Sequence, residues 1–346
     1  MTSENLSKWK KEMQEYNKLP YSDGVTRRHA IWKKNKATLW YYPAKEKKYK
    51  VPLFLIYSLV NRPFILDLGH GRSSIEAFVQ NGYDVYLLDF GIPGLEDRNL
   101  SIDDYVKEYI QRGVQRALKH AQADEITVFG YCLGGTLAAI YCALAKEPIK
   151  NLILIVTPID FERIPFFDSW IQALREERVS FDKYIEEMGI IPGPKVEAGM
   201  RLLTSPIYYS PYLSLLRKAQ DREYVDKWIR FNTWTKGHIP LTAKTAIQIN
   251  TDLVKENKLI RGNLEINEKN VDLAAIRANL LVVVTEGDRL VPKEQCLPIL
   301  NAVTSPDKSC EILQGGHTGT TVKDGKLPDF LASWLPERSS PLGREV

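Results

Sequence analysis

Three residues lying far apart in the chain have the types and settings that nucleophilic acyl chemistry requires. The first is Cys132, in the stretch FGYCLGG at 129–135. Gly130 and Gly134 flank it at minus two and plus two, the spacing of the glycines around the nucleophile in a G-x-S-x-G elbow. Such an elbow turns a strand sharply into a helix. Small neighbours are needed because the two backbones come close, and the central residue is strained so that its side chain rises over the sheet. A thiol placed there meets a helix N-terminus, whose dipole favours the reactive thiolate. The backbone N–H of Leu133, next in the chain, is positioned to stabilise an oxyanion. The second residue is Asp288, where the apolar run LLVVVT passes into a Gly-Asp turn. The third is His317, where CEILQ runs into Gly-Gly-His. Nucleophile, acid and histidine therefore occur in the order used by elbow hydrolases.

Other residues compete for these roles and fit less well. Asp160, after LILIVTPI, is the rival acid, but Asp288 follows the later strand and has Gly287 to make its turn. His70, in DLGHGRSS, is a candidate for lining the site. His29 precedes the core, His120 ends a surface helix, and His238 lies in an inserted segment. Cys142, Cys296 and Cys310 lack an elbow and read as buried cysteines that pack as small hydrophobes.

The elements that must position these residues can be read from apolar runs. Strand-length runs occur at Leu53 to Leu59, Asp84 to Phe90, Ile126 to Tyr131, Leu152 to Thr157 and Leu280 to Thr285, with a weaker one at Ser309 to Leu313. Continuous apolar runs of this length fit strands buried on both faces, as in a parallel sheet. Between the second and third, apolar residues from Ile102 to Ala121 recur with helical period, with Ser101 as N-cap and Asp104 at the positive end. This order predicts an α/β-hydrolase fold: a doubly wound, mostly parallel sheet with an inserted helical cap. The expected organisation is an N-terminal helical segment over 1–35, a catalytic core over 36–160 and 259–346, and a cap or lid over 161–258. That middle stretch is rich in aromatics and proline (FERIPFFDSW, SPIYYSPYLSLL) and has no recurring buried strand.

Composition excludes several classes of function. With 346 residues and 44% hydrophobic content the chain can bury a large core. Its 47 Lys plus Arg stand against 43 Asp plus Glu, a net charge of +4 with the signs interspersed, so no nucleic-acid surface is expected. Four cysteines without CxxC or Cys/His spacing indicate neither a metal site nor a disulfide framework. The N-terminus lacks an apolar run and no stretch is long enough to span a membrane, so a cytoplasmic protein is expected.

Over nearly its whole length the chain resembles polyhydroxyalkanoate synthases, specifically the short catalytic subunits of the two-component types. Their modified lipase box, G-x-C-x-G-G, matches Gly130, Cys132, Gly134 and Gly135. LIYSLVNRPFILDL (55–68), GYDVYLLDFGIPGLEDRNLSIDDYV (82–106) and NVDLAAIRANLL (270–281) also look like segments of that family. The resemblance implies that Cys132, Asp288 and His317 are catalytic, and that the activity is polymerisation of (R)-3-hydroxyacyl-coenzyme A, short-chain 3-hydroxybutyryl in the first instance. Coenzyme A would be released through a Cys-linked acyl intermediate and a growing polyester chain would leave. It further implies a small helical partner subunit (PhaR- or PhaE-like), a location at the surface of polyester granules, and no cofactor. By its position after the first core strand, Val60 is the candidate for the second oxyanion N–H. The chain departs from the family at Phe90, where tryptophan is usual, at Arg289, where histidine usually follows the aspartate, and in a shorter loop after His317. The alternatives are a cysteine hydrolase, either thioesterase or esterase, using the same triad, and a non-catalytic granule-associated relative.

Overall fold

A computed structural model describes residues 24–162, 168–178, 180–204, 221–319, 322 and 325–342. Eight strands form one sheet: β1 (His29–Lys34), β2 (Ala37–Tyr42), β3 (Leu53–Ile56), β4 (Val85–Asp89), β5 (Ile126–Tyr131), β6 (Ile149–Ile155), β7 (Asn279–Thr285) and β8 (Lys308–Leu313). Their order across the sheet is β1-β2-β4-β3-β5-β6-β7-β8. From β4 to β8 every pairing is parallel, and β2 joins β4 antiparallel, as β1 does β2.

The parallel strands β3 to β7 are buried on both faces because each face is covered by helices, which is why they read as unbroken apolar runs, whereas the edge strand β8 is largely exposed. Alternate residues serve the two layers. Phe54, Ile56, Val128, Leu152, Leu154 and Val282 pack with the helix over 102–121 and with the helix Leu133–Leu144. Leu55, Phe129, Ile153, Ile155 and Val283 pack with Ser74–Gln80 and Asp329–Glu337 on the other side. The helix over 102–121 begins as expected: the Ser101 hydroxyl accepts from the Asp104 N–H at 3.2 Å, while the Asp104 carboxylate accepts from the Ser101 N–H at 2.9 Å. It widens into a π-helical turn over Tyr105–Gln111 before resuming as Arg112–Ala121.

Residues 29–34, expected within a helical N-terminal segment, form the edge strand β1 instead. The chain reverses at Asn35, whose φ of 50° is the left-handed conformation Asn tolerates well, and β1 lies along β2. Lysines in the hairpin (Lys33, Lys34, Lys36) resemble a solvated helix face in sequence. On an edge strand they serve to discourage pairing with another chain. Residues 1–23 of that segment lie outside the described residues, as does the aromatic stretch SPIYYSPYLSLL in the cap.

Among the described residues between β6 and β7, none joins the main sheet. The described part of this insertion is mostly helical (Asp168–Arg175, Asp182–Met188, Gly193–Thr204, Arg222–Thr235, Ala243–Gln248), with two-residue strands at Ile190–Ile191 and Leu241–Thr242 and, nearer β7, at Glu265–Ile266 and Lys269–Asn270. It is fastened to the core where the 102–121 helix begins. The Thr242 and Thr245 hydroxyls donate to the Leu100 carbonyl at 2.8 Å, and Gln248 accepts from the Ile102 N–H and donates to Asp103. No helix among the described residues is long and apolar enough to cross a membrane.

The sheet interior should carry the stability. Leu154→Ala, in a fully buried position on β6, is expected to cost about 2–5 kcal/mol. Leu202→Ala, on the exposed side of a cap helix, should change stability by less than about 0.5 kcal/mol. Urea titration of both variants checks the contrast.

Candidate active site

The segment from β5 to Leu133–Leu144 turns as the glycine spacing predicts, and the contacts explain why. A Cβ on Gly130 would fall 2.4 Å from the Gly135 Cα, and one on Gly134 would fall 2.5 Å from the Ile56 carbonyl oxygen. Real Cβ atoms do not make such contacts, so only glycine lets the helix backbone press against β3 and β5. The corner residue Cys132 takes φ 52° and ψ −130°, a region a residue with a side chain occupies only when its surroundings impose it. Its N–H donates to the Ile155 carbonyl at 2.9 Å, and its own carbonyl accepts from Gly135 and Thr136, which fixes the turn. The thiol is partly exposed at the first turn of the helix. Leu133, with its N–H among the donors that a helix start leaves without an intrahelical partner, follows directly.

Asp288 and His317 reach this corner from the ends of β7 and β8. The two loops touch through glycine: the Gly287 N–H donates to the Gly315 carbonyl at 2.9 Å, and a Cβ on Gly287 would lie 2.8 Å from that oxygen. The Asp288 carboxylate is fully buried. One oxygen accepts from the Leu290 and Val291 N–H groups at 2.9 Å, and the other lies 2.7 Å from His317 Nδ1. The imidazole also hydrogen-bonds the Cys132 thiol group. Burial disfavours its charged form, but the Cys132 sulfur and the Asp288 carboxylate outweigh that and push the His317 pKa up to about 10. The geometry thus suits a thiolate–imidazolium pair steadied by a carboxylate.

The structure sorts the remaining candidates. Asp160 accepts from Asn257 Nδ2 and the Glu162 N–H, both at 2.8 Å, and does not meet His317. His70 is largely exposed and faces Glu76 at 2.8 Å. His120 bonds the Tyr86 hydroxyl at 2.8 Å on the 102–121 helix, and His238 lies in the cap, where burial lowers its pKa. Cys142 and Cys296 are buried and burial pushes both thiols up; Cys310 is exposed at the surface and is also raised. Arg289 is exposed, and Phe90 packs edge-on against Tyr105 at 5.0 Å, so neither departure from the expected pattern touches the Asp–His pair. Val60 lies in the loop that follows β3, with its N–H turned toward the Ser58 hydroxyl at a long 3.4 Å.

Two features escaped sequence reasoning. Tyr131, immediately before the cysteine, donates from its hydroxyl to the His317 carbonyl at 2.7 Å and sets its ring edge-on to the imidazole at 5.9 Å. In the sequence it is simply the last residue of a strand. The second feature is a clamp between the cap and the loop carrying Val60. Asn61 Nδ2 donates to the Trp234 carbonyl at 2.9 Å, Trp234 Nε1 donates to the Arg62 carbonyl at 3.1 Å, and the Ile239 N–H donates to the Val60 carbonyl at 3.2 Å. The partners are more than 170 residues apart in most of these contacts, and no local pattern announces them.

The charge on His317 supplies a test. Because the sulfur is a principal group holding the proton on the ring, Cys132→Ala should let the imidazole deprotonate at a lower pH than in the unaltered chain. In the unaltered chain the proton should persist through neutral pH and leave only as pH approaches about 10. NMR titration of labelled histidine follows both, and an unshifted titration would show that the sulfur does not act on the ring.

Residues 65–323 match the α/β hydrolase fold family. The poly(3-hydroxyalkanoate) polymerase subunit PhaC of Haloferax mediterranei is 32% identical over 92% of this chain, which spans 65% of that relative's length. The subunit of the same name from a Synechocystis species is 31% identical, over 91% of this chain and 85% of its own. That of Allochromatium vinosum is 29% identical, over 91% and 90%. Among solved structures, a thermophilic esterase from Thermogutta terrifontis superposes with a TM-score of 0.50 at 13% identity, covering 91% of this chain and all of that one, a likeness of fold alone. With a cysteine at the elbow and these similarities along its length, the chain belongs to the α/β hydrolase fold and, within it, to the PhaC family of poly(3-hydroxyalkanoate) polymerase subunits.

Proposed function

We propose that this chain is the catalytic subunit of a polyhydroxyalkanoate synthase, polymerising (R)-3-hydroxyacyl units, short ones such as 3-hydroxybutyryl, from their coenzyme A thioesters. The observation that carries this reading is the Asp288–His317 pair, 2.7 Å apart, closing on a cysteine at a strained elbow. In the proposed cycle the Cys132 thiolate attacks the substrate thioester. A C–S bond to Cys132 forms, the bond to coenzyme A breaks, and the imidazolium proton of His317 passes to the departing sulfur. The exchange of one thioester for another costs little free energy, so the acyl group stays activated. An oxyester on serine would lose part of that activation.

His317, now neutral, accepts the proton of a 3-hydroxyl from a second acyl unit or the chain end. The resulting oxygen nucleophile attacks the Cys132-bound acyl group, an ester forms, and the Cys132 thiolate is expelled opposite a restored imidazolium. Each turn makes one ester and frees one coenzyme A thiol. Asp288 fixes the ring and stabilises its charged form. The Leu133 and Val60 N–H groups take the oxyanion, Val60 exchanging its weak bond to Ser58 for the stronger one. Water competes with the 3-hydroxyl throughout, and the role assigned to the cap is to exclude it while letting polymer leave. The partner assigned to the chain is a small helical subunit, and the place of action is the granule surface in the cytoplasm.

Incubation with 3-hydroxybutyryl-coenzyme A, alone and with such a subunit, should release coenzyme A in step with polymer. Quantitative free hydroxy acid in its place would make the chain a thioesterase and defeat the proposal. Cys132→Ala should abolish coenzyme A release. Asp288→Asn should leave the fold intact and slow turnover by roughly 10²- to 10⁴-fold.

A further inference from the structure

We infer that a groove between the Val60 loop and the cap seats the phosphate groups of coenzyme A, with Arg62 as the main contact and Lys236 as the second; this rests on the polymerase reading above. The groove has a volume of about 400 Å³ and is lined by Arg62, Lys236 and His238, by Asn232 and Thr233, and by an apolar wall that includes Phe64 and Ile239. Among the described residues no carboxylate lines it. A mixture of fixed cations, uncharged hydrogen-bonding groups and apolar surface suits a ligand that carries phosphates on an adenosine and a flexible arm.

The setting of Arg62 is the decisive feature. Its backbone is held on both sides, since its N–H donates to Asn61 Oδ1 at 2.7 Å and its carbonyl accepts from Trp234 Nε1 at 3.1 Å. Its guanidinium has no hydrogen-bond or ion-pair partner among the described residues, although the side chain is half-buried. It also borders a second cavity, of about 160 Å³. The carboxylates there are already engaged: Asp67 by Thr26 and Ser73, and Asp89 by the Gly91 N–H. A fixed arginine with uncommitted donors is suited to bidentate contact with phosphate.

The groove also adjoins the proposed oxyanion position. Arg62 follows Val60 by two residues, so their Cα atoms are at most about 7 Å apart. Ile239, in the groove wall, donates its N–H to the Val60 carbonyl. A coenzyme A thioester whose carbonyl oxygen sits at Val60 therefore lies beside Arg62, and its pantetheine arm would lie folded in the groove for the phosphates to reach that guanidinium. Lys236 caps the helix Arg222–Thr235, and a cation at that end would be favoured with no ligand at all. The carbonyls of that last turn are, however, already bonded: Asn232 by the Lys236 N–H and the Thr235 hydroxyl, and Trp234 by Gly237 and Asn61. The Lys236 ammonium is exposed and free to turn toward an anion. His238 takes part as a neutral ring, because burial lowers its pKa; Glu197, which acts on it through space, is itself paired with Arg201.

The test compares two thioesters of the same 3-hydroxyacyl group, one of coenzyme A and one of N-acetylcysteamine, which has no phosphate. Arg62→Ala should lower kcat/KM for the coenzyme A thioester by roughly 10- to 100-fold, mainly through KM. The loss should be confined to that substrate, deepen with Lys236→Ala, and be partly restored in Arg62→Lys. Equal losses on both thioesters would make Arg62 a structural residue and overturn the inference, as would no loss on either. Calorimetry of coenzyme A with the Cys132→Ala chain gives a readout independent of turnover. Binding should weaken with salt and with Arg62→Ala, and binding indifferent to both would likewise overturn the inference. Failure of the polymerase reading looks different: the unaltered chain would then bind coenzyme A at Arg62 yet release free hydroxy acid instead of polymer.

Discussion

Everything at this site depends on how closely two backbones approach at the elbow. Gly130 meets Gly135, and Gly134 meets the end of β3, at distances that leave no space for a Cβ. With the helix pressed that close, the chain can make the turn only by driving Cys132 to positive φ, a cost of about 1–3 kcal/mol. The Ile155 carbonyl and the helix that follows hold it there. The neighbouring strand repeats the device. Val156, β-branched and fully buried, also takes positive φ (43°) just after β6, and its N–H donates to Val283. Two adjacent strands thus end in strained corners, and Ile155, next to the second corner, accepts the N–H of Cys132 at the first. The strain is local, and the buried sheet beneath supplies the rigidity that sustains it.

That arrangement explains how much was legible in the sequence. Cys132 and Asp288 could be found because each follows a buried apolar strand through a glycine-marked turn; His317 follows the weaker, exposed edge strand β8 and was marked chiefly by its Gly-Gly turn, and parallel strands deliver all three ends to one rim. The central strands were readable for the same reason, since burial on both faces leaves unbroken apolar runs. The β1–β2 hairpin was not. Its exposed edge mixes lysines with aromatics, and only the left-handed Asn35 marks the reversal. Tyr131 and the Asn61–Trp234 clamp were invisible for another reason. Their roles come from hydrogen bonds to backbone carbonyls far along the chain, and an accepting carbonyl leaves no trace in the identity of its residue.

The choice of sulfur follows from the same geometry. The carboxylate behind His317 is buried and held in place by the Leu290 and Val291 N–H groups, and a ring between it and the Cys132 sulfur has a partner on each side. A serine hydroxyl, with a far higher pKa than a thiol, would leave the imidazole neutral at rest and make proton transfer part of the attack itself. In the proposed cycle cysteine leaves the proton on the ring when substrate arrives, available to the departing coenzyme sulfur. In the proposed cycle that proton shuttles between ring and substrate without needing bulk water, which suits a reaction that water would divert to hydrolysis.

The two halves of the proposed oxyanion hole are held by different parts of the molecule. Leu133 belongs to the elbow and is as rigid as the sheet. Val60 belongs to a loop whose carbonyls and side chains are tied to Trp234 and Ile239 of the insertion, and the insertion is tied again to the start of the 102–121 helix. A displacement of the cap would therefore be felt at Val60 and at Arg62 while leaving Cys132, Asp288 and His317 in register. Nucleophile and base would remain ready, while stabilisation of the oxyanion and grip on the substrate's far end would rise and fall together. Under the proposed function, this couples acylation to the seating of the cap over a complete coenzyme A thioester, the state in which water has least access to the reactive acyl group.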